Sequence, residues 1–184
     1  MPAALQVSEA HGWSGGTAQL LALSAGLRDK GWDVAIACRP ASGLEEHARR
    51  RGIRTFAVAL REDYDILSAW ELARIIRREG IAVVHAHNNR SHAVCLLAKL
   101  LLSWTGKAPV LVVSRRVSFP PGRNPFSLWK YRSAFIDSIA AVADAVKDVL
   151  VRSGVPAGRV SVIRSGVDTA RFTPKAADPA FMRA

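Results

Sequence analysis

The segment His85-Ala86-His87 places two imidazoles two residues apart at the end of an apolar run that predicts a buried strand. Because side chains alternate along a strand, both histidines are expected on one face of a sheet. No third residue with metal-ligand spacing accompanies them, so we expect neither a metal ion nor a cofactor here. For His87, at the carboxyl end of the strand, a catalytic role is one interpretation and a structural role is the other.

A second candidate site is the pair Gly15-Gly16, which lies between the first apolar run and the first helical pattern. Glycines let backbone N–H groups approach an anion closely, and a helix N-terminus adds favourable partial charge. The sequence has neither the G-x-G-x-x-G pattern nor a Walker sequence ending in Gly-Lys-Ser/Thr. The pair therefore predicts either a phosphate-binding loop or an ordinary tight turn.

Residues 115–132 form the most unusual stretch, in which aromatic side chains are interleaved with cations. Its three prolines predict an irregular path for the first half. Such a mixture suits a lipid headgroup region, where rings insert and cations meet phosphates. It also suits single-stranded nucleic acid, and the plain alternative is a loop packed on the core. We favour membrane contact, and the residues expected to make it are Phe119, Arg123, Phe126, Trp129, Lys130 and Arg132.

Charge is distributed unevenly along the chain. The 184 residues carry a formal net charge of +11, of which residues 1–92 contribute +2 and residues 93–184 contribute +9. Such a surplus favours an anionic partner, although it also serves solubility alone. With 49% hydrophobic and 22% charged residues, the chain is typical of globular proteins and not of disordered ones. Two isolated cysteines, Cys38 and Cys95, exclude a disulfide framework and favour a reducing compartment.

Short apolar runs alternate with helical patterns, which predicts an α/β fold with a parallel sheet of about seven strands and helices on both faces. The expected strands lie at residues 4–7, 34–37, 55–58, 81–84, 110–113, 138–142 and 160–163. In such sheets ligands bind beyond the carboxyl ends of the strands. That rule selects the loops after Ser8, Ala37, His85 and Ser114.

One of the expected helices has a clear start signal. Ser68 and Glu71 match an S-x-x-E capping box, in which each side chain satisfies a free backbone donor of the other residue. Leu67 and Leu72 stand where a hydrophobic staple would place them. The pattern therefore predicts Ser68 as the N-cap of a helix that ends at Gly80.

Four segments follow one another in an order found in a known family. Residues 15–34 resemble its glycine-glycine loop, helix and G-H-x-V exit, and residues 83–87 (VVHAH) resemble its V-V-H-x-H strand end. Residues 139–147 (IAAVADAVK) resemble its I-x-A-V-S-x-A-V segment. Residues 162–174 (VIRSGVDTARFTP) resemble its V-I-P-N-G-V-D-x-x-x-F-x-P segment. The chain thus resembles the N-terminal domain of a retaining glycosyltransferase of the GT-B fold, family 4 (group 1), of lipopolysaccharide-core or lipid-linked glycan type.

The resemblance implies a nucleotide-sugar as donor and an N-terminal domain that holds the acceptor. It implies that Gly15 and Gly16 lie against the donor's phosphates and that His87 faces the transferred sugar. The residues it points to for the acceptor are Trp13, Asn88, Asn89, Arg90, Arg115 and Arg116. Members that act on lipid-linked acceptors often dock on the inner membrane through a basic, aromatic part of this domain. The implied location is therefore cytoplasmic and peripheral on the inner face of the cell membrane.

The resemblance also implies a domain organisation. Residues 1–168 would form the acceptor-side domain, and residues 169–184 would lead toward a second domain that binds the donor through a basic pair and an E-x7-E motif. The sequence departs from the family pattern at Ala18, Ala143, Arg164 and Ser165. We expect the 184-residue chain alone to fold without catalysing transfer. The alternative is a non-catalytic module that binds anionic glycolipid or a membrane surface, and nucleic acid is not the expected partner.

Overall fold

The computed structural model describes residues 1–106, 108–122, 125–167 and 169. These residues contain seven strands, which are β1 (Ala3–Ser8), β2 (Asp33–Cys38), β3 (Arg54–Ala57), β4 (Val83–Ala86), β5 (Val110–Arg115), β6 (Ser138–Ala141) and β7 (Val160–Val162). The six α-helices among them are α1 (Gly15–Asp29), α2 (Gly43–Arg50), α3 (Ile66–Arg78), α4 (Asn89–Ser103), α5 (Pro125–Arg132) and α6 (Asp144–Arg152). The predicted α/β fold with a seven-stranded sheet is confirmed.

All seven strands join one parallel sheet in the order β3-β2-β1-β4-β5-β6-β7. The central strand β1 pairs Leu5 with Ala35 of β2 on one side and with Val84 of β4 on the other. The chain leaves β1 toward β2 and later returns to β4 on the opposite side, so the strand order reverses between β1 and β4. A crevice for ligands is expected where the loops of two such strands diverge.

The two faces of the sheet are covered to different extents. On the closed face, strand side chains pack against α3, α4 and α6, and the strand residues on this face are Leu5, Val7, Ala35, Ala37, Val84, Ala86, Leu111, Val113, Ile139 and Ala141. On the open face, α1 and α2 cover β2 through a smaller cluster that includes Leu20, Ile36 and Leu44. Helices therefore lie on both faces, as predicted, but over β4, β5 and β6 the open face lines a cavity of about 300 Å3.

The predicted start of α3 is wrong. The N-cap is Asp65, whose Oδ1 accepts from the backbone N–H of Ser68 at 2.9 Å. The Ser68 hydroxyl donates to Asp65 Oδ2 at 2.7 Å and accepts from the backbone of Leu60 at 3.0 Å, so Ser68 lies inside the helix. Leu67 is 72% exposed while Leu72 is buried, so these two residues do not form a staple.

Helix α5 lies in the second half of residues 115–132, for which no helix was predicted. Pro125 occupies the first helical position, where the missing N–H costs no hydrogen bond and the fixed φ suits a helix. The helix brings Lys130 and Tyr131 into the interior of the domain. Within the described part of the chain, no helix is both long and apolar enough to span a bilayer.

Candidate functional site

A cleft of about 370 Å3 lies at the carboxyl edge of the sheet, where the loops after β1, β4 and β5 meet. Its lining residues are Glu9, His87, Asn88, Asn89, Ser114, Arg115, Arg116, Val117, Phe119 and Tyr131. The structure thus brings together five of the residues selected from the sequence for the transferred sugar and the acceptor. The cleft occupies the position that the reversal of strand order predicts for a ligand site.

His87 follows β4 directly and is held in place from two sides. Its backbone N–H donates to the carbonyl of Val7 at 3.0 Å. Its Nε2 lies 2.7 Å from Oε1 of Gln6, and because that oxygen only accepts, Nε2 carries the proton. Nδ1 is therefore the unprotonated nitrogen, and it is buried without a partner among the described residues. It is free to accept a hydrogen bond from a ligand.

His85 and His87 share the open face, as their spacing predicts, with ring centroids 4.1 Å apart. Nε2 of His85 lies 2.8 Å from the hydroxyl of Ser114. Burial, with a smaller contribution from the charge of Arg116, lowers the pKa of His85 to about 4. Burial also lowers the pKa of His87 well below its ordinary value, assisted by His85 and Arg116. Both imidazoles are therefore neutral at neutral pH.

Arg116 connects the cleft with the cavity on the open face, because its side chain lines both. Its Nη1 lies 3.4 Å from the hydroxyl of Ser165, while its Nε is buried and has no partner in the described structure. Burial lowers the pKa of this guanidinium below its ordinary value. Even so, an arginine stays charged, so Arg116 offers donors and a positive charge to an anionic group at the junction of the two cavities.

The first turn of α4 is tied to the end of β1. The Glu9 carboxylate accepts from the backbone N–H groups of Arg90 and Ser91 at 3.2 and 3.0 Å. The Ser8 hydroxyl donates to Oδ1 of Asn88 at 2.6 Å. The helix N-terminus is therefore neutralised by a carboxylate of the protein itself, so an anion in the cleft depends on Arg116 and not on α4.

Lys130 does not contact a membrane, because its side chain is only 1% exposed. Its Nζ donates to Oδ2 of Asp63 at 3.0 Å and to Oδ1 of Asn89 at 2.9 Å. Asn89 Nδ2 in turn donates to Asp63 at 3.1 Å. Burial lowers the pKa of Lys130, and Asp63 opposes that shift. The sequence prediction is wrong here, since α5 turns this cation inward to join the loop before α3 to the start of α4.

The guanidinium of Arg115 also makes most of its hydrogen bonds within the protein. Its Nη1 donates to the hydroxyl of Tyr131 at 2.5 Å and its Nη2 donates to the carbonyl of Phe119 at 2.6 Å. The guanidinium lies 4.8 Å from the ring centroid of Tyr131. Arg115 therefore shapes the wall of the cleft with both of its Nη atoms engaged, whereas Arg116 makes a single long hydrogen bond among the described residues; the Nε atoms of both are buried without a partner there.

Four other predicted site residues lie outside the lining of the cleft. Gly15 and Gly16 form the first turn of α1, which has no acidic residue, and a Cβ built on Gly15 would meet no atom within 4 Å. Trp13 is half exposed and packs on His47 of α2 with ring centroids 4.3 Å apart. Arg90 points toward Glu62, with the charged atoms 4.0 Å apart.

The predicted membrane residues other than Lys130 have mixed environments. Phe119 is well exposed and Trp129 is partly exposed, whereas Phe126 is half-buried. Arg132 is exposed, and its guanidinium donates to the carbonyl of Ser153 at 2.7 and 2.9 Å. Arg123 lies outside the described residues, as does the predicted linker except Thr169.

Sequence reasoning missed Gln6, Glu9, Ser114 and Tyr131. Gln6 carried a usable signal, because it is a polar residue inside an otherwise apolar strand pattern. Ser114 was named only as the residue before a selected loop, and Glu9 lies in the selected loop after Ser8 without having been singled out. Tyr131 gave no signal, because its hydroxyl reaches Arg115 only through the unexpected helix α5.

The parallel seven-stranded sheet, with helices on both faces and a cleft at its carboxyl edge, is a Rossmann-like α/β fold of the kind found in GT-B glycosyltransferases. The profile of Glycosyltransferase Family 4 matches residues 13–171. The chain therefore belongs to glycosyltransferase family 4. The resemblance to glycosyltransferase family 4 that the four sequence segments indicated is confirmed.

Several solved structures share this fold. Alr3699/HepE of Anabaena, in complex with UDP, superimposes with a TM-score of 0.73 at 13% identity over 92% of this chain and 45% of its own. A glycosyltransferase of Rickettsia africae ESF-5 gives 0.71 at 19% identity over 99% and 48%. The lipopolysaccharide outer core galactosyltransferase WaaB gives 0.65 at 14% identity over 91% and 46%. This chain thus spans less than half of each, and no curated protein sequence matches it.

Proposed function

We propose that this chain is the acceptor-binding half of a retaining glycosyltransferase that moves a sugar from a nucleotide-sugar to a glycan or glycolipid. The observation that carries the proposal is the cleft at the carboxyl edge of β4 and β5, with an unprotonated His87 Nδ1 beside the Arg116 guanidinium. Family membership supports the reaction class. The complexes of HepE with UDP and UDP-glucose support a nucleotide-sugar donor, and the name of WaaB supports a glycolipid acceptor.

Each candidate residue of this chain has a different role in the proposed reaction, set by its chemistry. His87 accepts a hydrogen bond from a sugar hydroxyl and positions the transferred sugar, because its Nε2–H is used by Gln6 and its lowered pKa leaves Nδ1 unprotonated. Arg116 places positive charge where an anionic group of donor or acceptor enters. The backbone of Gly15 and Gly16, at the acid-free N-terminus of α1, receives the donor's phosphates. Asn88 and Asn89 lie in the cleft wall and contact acceptor hydroxyls.

A cytoplasmic location with peripheral contact to the inner face of the membrane belongs to the same proposal. The two cysteines among the described residues, Cys38 and Cys95, are both buried and unpaired. Burial raises the pKa of Cys38 to about 11, so this thiol is inert. Free thiols of this kind are typical of a reducing compartment.

The test is a transfer assay on the polypeptide encoded by the whole reading frame, with labelled nucleotide-sugars and both soluble and lipid-linked glycan acceptors. We expect the frame to continue past Ala184 with a second domain. His87→Asn and Arg116→Gln should each lower kcat by about 10²-fold or more. The matched control is Trp104→Ala, a change at a fully exposed side chain at the far end of α4, which should leave transfer unchanged.

Two results would contradict the proposal. If the reading frame ends near Ala184 and no donor gives transfer, the chain is a binding module for anionic glycolipid. If His87→Asn and Arg116→Gln both transfer like the wild type while remaining folded, the cleft is not the acceptor site. Purified alone, residues 1–184 should bind acceptor without transferring sugar to it.

A further inference from the structure

A second cavity adjoins the cleft. Its volume is about 400 Å3, a size typical of ligand pockets. Asn89, Arg115 and Phe119 line both this cavity and the cleft, so the two are contiguous. We name it the side cavity, and the residues that define it apart from the cleft include Glu62, Asp63, Tyr64 and Phe126.

Aromatic rings that remain open to solvent border the side cavity. Tyr64 is 56% exposed and Phe119 is 67% exposed, although both line a concave surface. The ring centroids of Tyr64 and Phe126 lie 4.0 Å apart, with an angle of 41° between the ring planes. Rings that pack on each other while facing solvent offer an apolar surface to a ligand. The C–H face of a pyranose ring is complementary to such a surface.

The hydrogen-bonding groups left free in the side cavity are acceptors. Oδ2 of Asp63 accepts from Lys130 at 3.0 Å and from Asn89 at 3.1 Å, and Oδ1 has no partner among the described residues. The side chain of Glu62 is well exposed, and its ion pair with Arg90 is long, at 4.0 Å. Carboxylate oxygens beside an aromatic surface suit sugar hydroxyls, which donate from the polar edge of the ring.

The cations beside the side cavity leave little donor capacity for an anionic ligand. Nζ of Lys130 makes three hydrogen bonds, one to Asp63 and two to oxygens of Asn89, which matches its three N–H groups. Arg115 uses both of its Nη atoms within the protein, and its Nε is buried. An anion would therefore approach two carboxylates with little to offset them, whereas a neutral sugar meets acceptors for its hydroxyls.

The walls of the side cavity are held in place by a buried ion pair. Lys130 of α5 is buried and joins Asp63, in the loop before α3, to Asn89 at the start of α4. Leu60 of the same loop is buried with a left-handed φ of 46°, which an L-residue keeps only where its surroundings hold it. The side cavity is therefore formed before a ligand arrives, so little ordering is needed on binding.

We propose that the side cavity binds a second sugar unit of the acceptor, next to the unit that receives the transferred sugar in the cleft. The occupant is a neutral pyranose that stacks on the rings of Tyr64 and Phe126. Its hydroxyls donate to the carboxylates of Asp63 and Glu62. This inference rests on the proposed function, since the cleft defines which unit of the glycan is extended. It deepens that function by making the acceptor a glycan of at least two sugar units.

The experiment measures binding of glycans to the 184-residue chain by NMR titration, without any sugar donor. The probes are neutral mono-, di- and trisaccharides built from glucose, galactose, mannose and N-acetylglucosamine. We expect at least one disaccharide or trisaccharide to bind about tenfold or more tightly than each of its component monosaccharides. Tyr64→Ala should remove that gain, whereas Tyr64→Phe should keep most of it because the ring remains.

The matched control is Trp70→Ala. It removes a ring that is 54% exposed, close to the exposure of Tyr64, from a position on α3 outside the lining of the side cavity. This control should bind the disaccharide like the wild type. Thermal unfolding should change little in Tyr64→Ala and in Trp70→Ala, because each side chain is more than half exposed.

The proposal is wrong if no probe gains affinity from a second sugar unit, if Tyr64→Ala keeps the gain, or if Trp70→Ala loses it equally. It is also wrong if a disaccharide with a uronic acid or phosphate on its second unit binds more tightly than its neutral counterpart. The transfer assay on the whole reading frame separates this failure from a failure of the proposed function. If transfer occurs and Tyr64→Ala leaves KM for the acceptor unchanged, only the side cavity loses its role. If a disaccharide binds through Tyr64 but no donor supports transfer, the proposed function fails and the side cavity remains a glycan-binding site.

Discussion

The closed and open faces of the sheet are built from the same seven strands but carry different chemistry. The closed face presents only apolar strand side chains to α3, α4 and α6, and these are buried. The open face carries Gln6, His85 and Ser114 toward the carboxyl edge, next to His87 and Arg116, around a cavity that no described helix fills. The comparison indicates that the closed face supplies most of the stability and that the open face is where polar side chains remain available to a ligand.

The largest expected effect is on the pH dependence of stability. It tests whether water is excluded from the side chain of His85 on the open face. The pKa of His85 is about 4 in the fold and about 6.5 in an unfolded chain, so the unfolded state binds more protons between these values. Stability should therefore fall as the pH drops from about 6.5 to 4, and His85 should account for roughly 3 kcal/mol of that loss. Urea unfolding of His85→Gln and wild type across this window measures the difference. If the free energy of unfolding has the same pH dependence in His85→Gln and in the wild type, His85 is solvated and water enters the open face.

Two neighbouring valines on β5 allow the packing of the two faces to be compared directly. Val113 is fully buried on the closed face, whereas Val112 is only partly buried on the open face. Val113→Ala should lower the free energy of unfolding by about 2 kcal/mol, because two methyl groups are lost from a packed core. Val112→Ala should cost less than about 1 kcal/mol. Urea denaturation of both variants tests this, and equal losses would show that the open face is packed as tightly as the closed one.

The smallest effect on stability is expected at the start of α1. A methyl group added by Gly15→Ala would meet no atom within 4 Å, and φ there is helical, so the free energy of unfolding should change by less than about 0.5 kcal/mol. In the transfer assay the same variant should raise KM for the nucleotide-sugar, because the methyl group would stand where the donor's phosphates approach. An unchanged KM would remove Gly15 from the donor site. Gly26→Ala, in the same helix with equally open space, is the control.

Local patterns in the sequence were sufficient for the sheet and for part of the cleft. The apolar runs gave all seven strands, and the strand-end rule selected the loops that carry His87 and Arg116. Contacts between distant segments were not predictable in this way. The burial of Lys130 depends on Asp63, 67 residues away, and the true N-cap Asp65 was hidden by a closer match to the capping pattern at Ser68. Tertiary contacts decided both cases.

The carboxylate of Glu9 has a consequence for motion as well as for charge. Together with the Ser8–Asn88 hydrogen bond, it fastens the loop that leads toward Gly15 to the first turn of α4. A displacement of that loop pulls on the same turn that carries Asn88 and Asn89. The loop expected to meet the donor is therefore connected directly to the helical turn expected to meet the acceptor. Movement of one segment is transmitted to the other without any change in the sheet.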